Sequence, residues 1–79
     1  MIDYQGSGVL HSAILVGRVD GKKVFVVLVH DHDSWCVARY TDGFKDRGGG
    51  YYTTCFELAF KVMCRRAVRA YENTSWKGT

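Results

Sequence analysis

The sequence predicts an α+β domain: a three- to four-stranded antiparallel sheet with one C-terminal helix packed on one face. Two apolar, β-branched runs joined by Asp20-Gly21 predict the first hairpin, and a third run that ends at Thr41-Asp42-Gly43 extends the sheet. Apolar residues that recur at three and four positions after residue 54 predict the helix. The chain has 79 residues, and single domains typically hold about 50–250, so we expect one domain over residues 1–79.

The first two strands are predicted at about residues 9–19 and 22–30. Both segments are rich in Val, Ile, Leu and Phe, which is typical of strands. Asp20-Gly21 between them is a strong signal for a two-residue hairpin loop, because such loops favour Asp and Gly at positions with positive φ. The two strands should therefore pair antiparallel.

The third strand is predicted at about residues 35–41, and a short edge strand is predicted at about 50–53. Between them, residues 43–50 hold four of the nine glycines of the chain. Glycine adopts conformations that other residues avoid, so this segment predicts a flexible loop.

The helix is predicted at about residues 54–72. Thr54-Cys55-Phe56-Glu57 fits a capping box, in which the Thr54 hydroxyl accepts a hydrogen bond from an early helical N–H and Glu57 reaches back to the cap. One apolar stripe follows at helical spacing: Phe56, Phe60, Met63, Ala67 and Ala70. Residues 73–79 are expected to form a polar tail, frayed or laid against the domain.

The second strand is apolar on both faces, since side chains alternate along a strand. Val24, Val26 and Leu28 lie on one side, and Phe25, Val27 and Val29 on the other. One helix covers one face only, and large apolar patches are rarely left in water. Three covers remain open for the second face: the N-terminal segment with Trp76, a second copy of the chain in a homodimer, or a partner.

Composition excludes several classes of protein. The apolar fraction of 47% and the charged fraction of 24% are ordinary for a globular domain. No segment has the roughly 20 consecutive apolar residues that a membrane helix needs, and residues 1–6 lack the features of a signal peptide. Cys36, Cys55 and Cys64 are odd in number and form no Cys-x-x-Cys pair, which disfavours a disulfide framework. We expect a cytoplasmic protein.

The residue types of a metal or catalytic site occur together once, in His30-Asp31-His32-Asp33, with Cys36 close by and His11 on the neighbouring strand. The same residues are typical of a plain polar turn, and no nucleophile has a fixed place beside them. Gly48-Gly49-Gly50 lacks the Gly-Lys-Ser/Thr ending of a phosphate-binding loop. We therefore expect no enzyme, no metal and no cofactor.

Positive charge is concentrated in the second half of the chain. Residues 1–34 hold three Lys/Arg against four Asp/Glu, and residues 35–79 hold eight against four. Arginine beside tyrosine is typical of protein interfaces and of nucleic-acid surfaces, while a solvated helix face also carries such charges. The predicted partner-binding residues are Arg39, Lys45, Arg47, Tyr51, Tyr52, Lys61, Arg65 and Arg69.

The chain is small, has a lone sheet-plus-helix domain and no enzyme signature, and contains three runs: Trp35-Cys36-Val37-Ala38-Arg39-Tyr40, Gly49-Gly50-Tyr51-Tyr52 and Phe56-Glu57-Leu58-Ala59-Phe60. With these features it resembles the small phage-encoded anti-CRISPR proteins. The resemblance implies stoichiometric binding to a host CRISPR effector complex of type I (Cascade) in the bacterial cytoplasm, with target-DNA recognition blocked. Members that mimic DNA are strongly acidic, so this basic chain fits docking on an acidic protein surface better.

Two alternative functions remain as hypotheses. A small nucleic-acid-binding module would use the helix face Lys61, Arg65 and Arg69 with the tyrosines, and its affinity should fall roughly tenfold or more between low and physiological salt. A metal-dependent enzyme at the turn that includes His30 ranks last.

Overall fold

The computed structural model describes residue 2 and residues 4–43 and 48–74, with the backbone alone considered for 73 and 74. Four strands precede one helix: β1 (Val9–Val19), β2 (Lys22–Asp31), β3 (Ser34–Thr41), β4 (Gly48–Thr53) and α1 (Phe56–Thr74). The strands form one antiparallel sheet in the order β1-β2-β3-β4. The helix packs on one face of this sheet. The predicted fold class is confirmed, with four strands in the sheet.

Two tight turns join the first three strands. Val19 pairs with Lys22, and the two loop residues between them, Asp20 and Gly21, have φ values of 52° and 78°. Positive φ at both positions is the geometry of the hairpin turn that Asp-Gly favours. The second turn places His32 at a φ of 55°, a conformation that non-glycine residues seldom adopt.

Strand β1 is irregular at two places. Its register with β2 shifts between Leu10 and Ser12 and again between Leu15 and Gly17, and such bulges bend and twist a strand. The first shift places the His11 ring on the helix side of the sheet, 5.5 Å from the Trp35 ring between centroids.

The helix-side core joins one stripe of α1 to the centre of the sheet. Ala59, Met63 and Ala67 are buried against strand residues that include Val26 and Leu28. The two alanines let the helix backbone approach the sheet closely. Of the predicted stripe, Met63 and Ala67 are buried and Ala70 packs against them, while Phe56 and Phe60 are 37% and 44% exposed and lie at the edge of this contact.

A second core lies on the opposite face of the sheet. Its five central residues, Val27, Val29, Cys36, Ala38 and Tyr40, are 0% exposed. Ile2 and Tyr4 of the N-terminal segment pack against them, and the Tyr40 hydroxyl accepts a hydrogen bond from the Gln5 backbone N–H at 2.9 Å. Of the three covers that the sequence left open for this face, the structure shows the N-terminal segment. Trp76, the other expected cover, lies outside the described residues.

The predicted start of β4 differs from the structure. Strand β4 begins at Gly48 rather than at residue 50, so Gly48 and Gly49, which were expected in the loop, belong to the strand. Gly48 pairs with Arg39, the register shifts between Ala38 and Arg39, and Gly49 adopts a φ of 57° there. Glycine tolerates this conformation without a Cβ clash.

The helix begins at Phe56 rather than at Thr54. The Cys55 carbonyl accepts the first helical hydrogen bond, from the Ala59 N–H, and the Cys55 N–H donates to the Thr53 hydroxyl at 3.1 Å. Cys55 therefore occupies the cap position that was predicted for Thr54, so the predicted capping box is wrong. The helix continues to Thr74, and residues 75–79 of the predicted tail lie outside the described residues. No helix in the described part of the chain is both long and apolar enough to cross a membrane.

Candidate functional site

A groove runs between the C-terminal half of α1 and one end of the sheet. It consists of two adjoining cavities of about 700 and 340 Å3, which share Arg39, Arg66 and Ala70. The larger cavity reaches the β1–β2 turn, and the smaller one reaches Gly48 and Gly49 of β4. We call the two cavities together the arginine groove.

The rim of the arginine groove is cationic. Four basic side chains line it, Lys22, Arg39, Arg66 and Arg69, against one carboxylate, Asp20. Within the described residues no carboxylate forms an ion pair with any of the three arginines. Arginine keeps its charge at any physiological pH, so the groove presents a positive field toward whatever enters it.

The floor of the arginine groove is apolar. Val16 and Val24 of the sheet and Ala70 of the helix line it beside the basic rim. Val19 extends the floor toward the β1–β2 turn and is 53% exposed. An occupant that carries both negative charge and apolar groups would satisfy the rim and the floor together.

Arg66 is the most constrained of the three arginines. Its Nη1 atom donates a hydrogen bond to the Val37 carbonyl at 3.4 Å, and its Cζ atom lies 5.9 Å from the centroid of the Tyr51 ring. A cation over an aromatic ring is favourable by about 0.5–1 kcal/mol at exposed sites. Both contacts are long and Arg66 is exposed, so they favour a position of the guanidinium at the groove without fixing it there.

Two of the predicted partner-binding residues line this groove directly, and a third supports it. Arg39 faces α1, because its neighbours Ala38 and Tyr40 face the opposite core. Arg69 approaches from the helix, and Tyr51 lies against Arg66.

The other predicted residues lie elsewhere. Lys61 and Arg65 line a shallow cavity of about 610 Å3 on the outer side of α1, and Arg69 lies between this cavity and the arginine groove because it lines both. Tyr52 pairs with Cys36 and so projects from the other face of the sheet, where it is exposed. Lys45 and Arg47 lie outside the described residues. The eight predicted residues therefore do not form one surface.

Sequence reasoning missed Arg66, Lys22 and the valines of the floor as site residues. The spacing of four selects Lys61, Arg65 and Arg69, a row that starts on the outer side of the helix and reaches the groove only at Arg69. Arg66 lies three residues after the buried Met63 and four before Ala70, positions that share one side of a helix. That spacing was the available signal.

The turn with metal-ligand residue types does not bring those residues together. His30 stacks on Trp35 on the helix side, with 4.4 Å between ring centroids, while Cys36 is buried in the opposite core. His32 is exposed, with its Nε2 atom 3.7 Å from Oδ1 of Asp31. No group of three His, Cys, Asp or Glu side chains in the described part of the chain could hold a metal ion.

An aromatic cluster marks the other end of the molecule. His11, Trp35 and Phe56 are in mutual ring contact, with centroids 4.8 to 5.5 Å apart. Phe60 extends the cluster along the helix. These rings close the helix-side core at the start of α1.

Compared with models of protein families, with curated proteins and with solved structures, the chain matches none of them.

Proposed function

We propose that the chain is a small inhibitor protein that binds an acidic protein surface through the arginine groove. The proposed partner is a type I CRISPR effector complex. The bound chain would block this complex from recognising its target DNA. One observation carries the binding half of this proposal. Three arginines from two elements, Arg39, Arg66 and Arg69, converge on one groove, and no carboxylate pairs with them within the described residues. Such a set is ready to pair with a partner's carboxylates.

The apolar floor favours a protein over a nucleic acid as the occupant. Protein interfaces combine arginine and aromatic residues with an apolar centre, whereas nucleic-acid interfaces are more polar and more strongly positive. Val19, which is 53% exposed, offers apolar contact area that a phosphate backbone cannot use. A partner with neighbouring acidic and apolar side chains matches both parts of the groove.

The positions of the tyrosines weaken the nucleic-acid alternative. Tyr51 lies on the helix side against Arg66, and Tyr52 projects from the opposite face. The two rings therefore lie on opposite faces of the sheet, so both cannot share one surface with the predicted helix face of Lys61, Arg65 and Arg69. Base stacking needs the rings to lie along the same path as the cations.

Preorganisation supports tight binding. The hydrogen bond to the Val37 carbonyl and the contact with Tyr51 already favour one position of Arg66. A side chain that is ordered before binding loses less conformational entropy in the complex, which raises the affinity. The CRISPR half of the proposal rests on the resemblance in size, domain plan and absence of an enzyme signature described above, and on the fit of a basic groove to an acidic effector surface.

The test is binding to purified type I surveillance complexes. We expect a stoichiometric complex by gel filtration and a loss of target-DNA binding in a mobility-shift assay. Two double variants locate the contact. Arg39→Ala with Arg66→Ala removes two charges that line both cavities of the groove, and Lys61→Ala with Arg65→Ala removes two charges from the outer side of α1.

The groove variant should weaken binding roughly tenfold or more, since interface arginines often contribute more than about 1.4 kcal/mol. The outer variant should weaken it by less than about threefold, because peripheral charges contribute little. Equal losses would show that overall charge, and not the groove, governs binding. Failure to associate with any type I complex would refute the CRISPR half.

DNA and RNA binding by fluorescence anisotropy is measured in parallel. Affinity that falls steeply with salt and is lost in the outer variant would establish the nucleic-acid module instead.

A further inference from the structure

The outer edge of β1 carries backbone groups that the sheet does not use. Strand β1 is first in the sheet order, and no described segment pairs with its outer side. Proteins usually protect such edges with Lys, Pro or other charges, but the 11 residues of β1 include one formal charge, at Arg18, and no Pro. Three of its apolar side chains, Val9, Leu15 and Val19, are at least half exposed.

An apolar groove lies between this edge and the helix. It has a volume of about 620 Å3, and it is lined by residues 14–16 of β1 and by residues of α1 that include Cys64 and Val68. Val68 is exposed. Apolar surface of the helix therefore lies directly beside the edge of the sheet, and a partner that pairs with β1 would cover both.

We propose that a second copy of the chain pairs with this edge, β1 against β1 and antiparallel, about a two-fold axis that passes through Ile14 perpendicular to the sheet. The two four-stranded sheets then form one continuous sheet with both helices on the same side. A two-fold interface has to be complementary to itself, and an antiparallel pair of identical edges meets this condition. The dimer goes beyond the proposed function, and it does not use the sheet face that Ile2 and Tyr4 cover.

The irregular positions of β1 select this axis. Its register with β2 shifts between Leu10 and Ser12 and between Leu15 and Gly17, so the two shifts lie on either side of Ile14 at nearly equal distances. Such shifts normally discourage edge pairing, because they bend the strand. The proposed axis sets each shift opposite the other shift of the second copy. Both edges therefore bend at the same level, and the pairing continues past them.

The same axis opposes no like charges along the strands. It places Arg18 opposite Leu10 of the second copy and keeps the two Arg18 side chains at opposite ends of the pair, whereas like charges directly across two strands are destabilising. It also places Val19 beside Val9 of the second copy, and both are exposed in the single chain. Because Val19 lines the arginine groove, the second copy would extend the apolar floor of that groove.

The contact area is sufficient for a specific dimer. A strand of 11 residues spans roughly 36 Å, and the helix adds a second layer about 10 Å across. A contact along this strip would bury on the order of 500 Å2 of each copy, close to the total of about 1,000 Å2 that specific interfaces need. This area lies at the lower end of the range, so we expect the dimer to dissociate on dilution.

Sedimentation equilibrium of the full chain measures the association. Leu15→Lys places a charge on the edge, and Val68→Lys places one on the side of α1 beside it. Leu58→Lys is the matched control, because Leu58 is also exposed on α1 but shares a helix side with Val62 and Arg66, at spacings of four and eight, toward the arginine groove. Circular dichroism confirms that each variant is folded.

The unmodified chain should show a monomer–dimer equilibrium. Leu15→Lys and Val68→Lys should each weaken the association roughly tenfold or more, since a buried lysine at a strand edge opposes pairing. Leu58→Lys should weaken it by less than about threefold, because it lies outside the contact.

A second measurement locates the axis and needs no substitution. Cys64 and Ile14 line the same groove, so an axis through Ile14 brings the two Cys64 thiols toward each other. Cys55 lies nine positions earlier, roughly 13 Å along the helix direction and away from the axis. A short bismaleimide should therefore join two chains through Cys64 and not through Cys55, as peptide mass spectrometry identifies.

Each other outcome overturns a stated part. A chain that stays monomeric up to about 1 mM overturns the dimer. A dimer that Leu15→Lys and Val68→Lys leave intact, or that Leu58→Lys weakens equally, overturns the β1 contact. A dimer that is joined through Cys55, or not through Cys64, overturns the axis through Ile14. The proposed function is decided separately, by the effector-complex assay with the groove and outer variants.

Discussion

The hydroxyl of Tyr40 accepts a hydrogen bond from the backbone N–H of Gln5 at 2.9 Å, and the Tyr40 ring lies 4.9 Å from that of Tyr4. These contacts fasten the N-terminal segment to the sheet face that α1 does not cover. The Tyr4 hydroxyl in turn donates to the Ser7 carbonyl at 2.7 Å, which shapes the segment before it enters β1.

Replacing Tyr40 with Phe should lower the free energy of unfolding by about 1 kcal/mol, because a hydrogen bond of this kind contributes about 0.5–1.5 kcal/mol while the ring packing is kept. Urea unfolding measures the change. Tyr51→Phe is the matched control, since within the described residues the Tyr51 hydroxyl makes no hydrogen bond. Equal losses in the two variants would mean that the Gln5 bond contributes nothing.

The three cysteines should differ in their reaction with a thiol reagent. Cys55 is exposed, Cys64 is half-buried and Cys36 is buried, and access to the thiolate limits the rate. Mass spectrometry of the labelled chain should therefore find Cys55 modified first and Cys36 last. Removing residues 1–5 should increase the labelling rate of Cys36 by roughly tenfold or more, because the core that buries this thiol then opens more often. A Cys36 rate that is unaffected by this truncation would contradict the covering role of Ile2 and Tyr4.

Gly8 and Gly21 allow the cost of crowding to be separated from the cost of conformation. Both have positive φ, so alanine at either should cost about 1–2 kcal/mol for the left-handed backbone. A Cβ atom at Gly8 would also lie 2.6 Å from Cγ1 of Val29 and 2.8 Å from the His30 carbonyl oxygen, whereas at Gly21 it would meet nothing within 4 Å. Gly8→Ala should therefore destabilise the chain by at least about 1 kcal/mol more than Gly21→Ala, as overpacking does. Thermal unfolding of both variants gives the comparison, and a smaller loss at Gly8 would refute the close packing of this segment.

Met63 should be the most sensitive position of the helix. It is buried between α1 and the sheet, and Met63→Ala should cost about 2–5 kcal/mol in the free energy of unfolding through lost contacts and a cavity. Val68 lies on the same helix and is 59% exposed, so Val68→Ala should change stability by less than about 0.5 kcal/mol. Comparable losses in denaturant unfolding would mean that α1 packs through a different side.

The sheet was predictable from the sequence because its signals are local. Asp20-Gly21 encodes a hairpin turn in two residues, and the alternation in β2 places apolar side chains on both faces whatever lies over them. The cover of the second face was not predictable, since Ile2 and Tyr4 show no periodic pattern and the choice among tail, copy and partner depends on tertiary packing. The hydrogen bond that fastens this segment joins Tyr40 to Gln5, which lies 35 positions earlier, and no local sequence pattern indicates such a pair.

The candidate site was predictable only in part. Arginine was expected at the surface, and Arg39 and Arg69 do line the groove. The helix pattern does not show which strands α1 packs against. Without that information, Arg66 cannot be distinguished from an ordinary solvent-exposed charge. Its position became clear only once Ala59, Met63 and Ala67 fixed the buried side of the helix. The predicted start of β4 was wrong because tertiary pairing decided it: Gly48–Thr53 is a strand through its pairing with β3, which the glycine-rich sequence does not indicate.

Each strand of the sheet pairs only with strands adjacent to it in the chain. Contacts between near neighbours in sequence form early during folding, since little chain entropy is lost in closing them. The link from Gln5 to Tyr40 has to wait until β3 is in place. Until that link forms, the sheet face around Tyr40 lacks its N-terminal cover, and a chaperone or a second unfinished chain could contact the apolar side chains there.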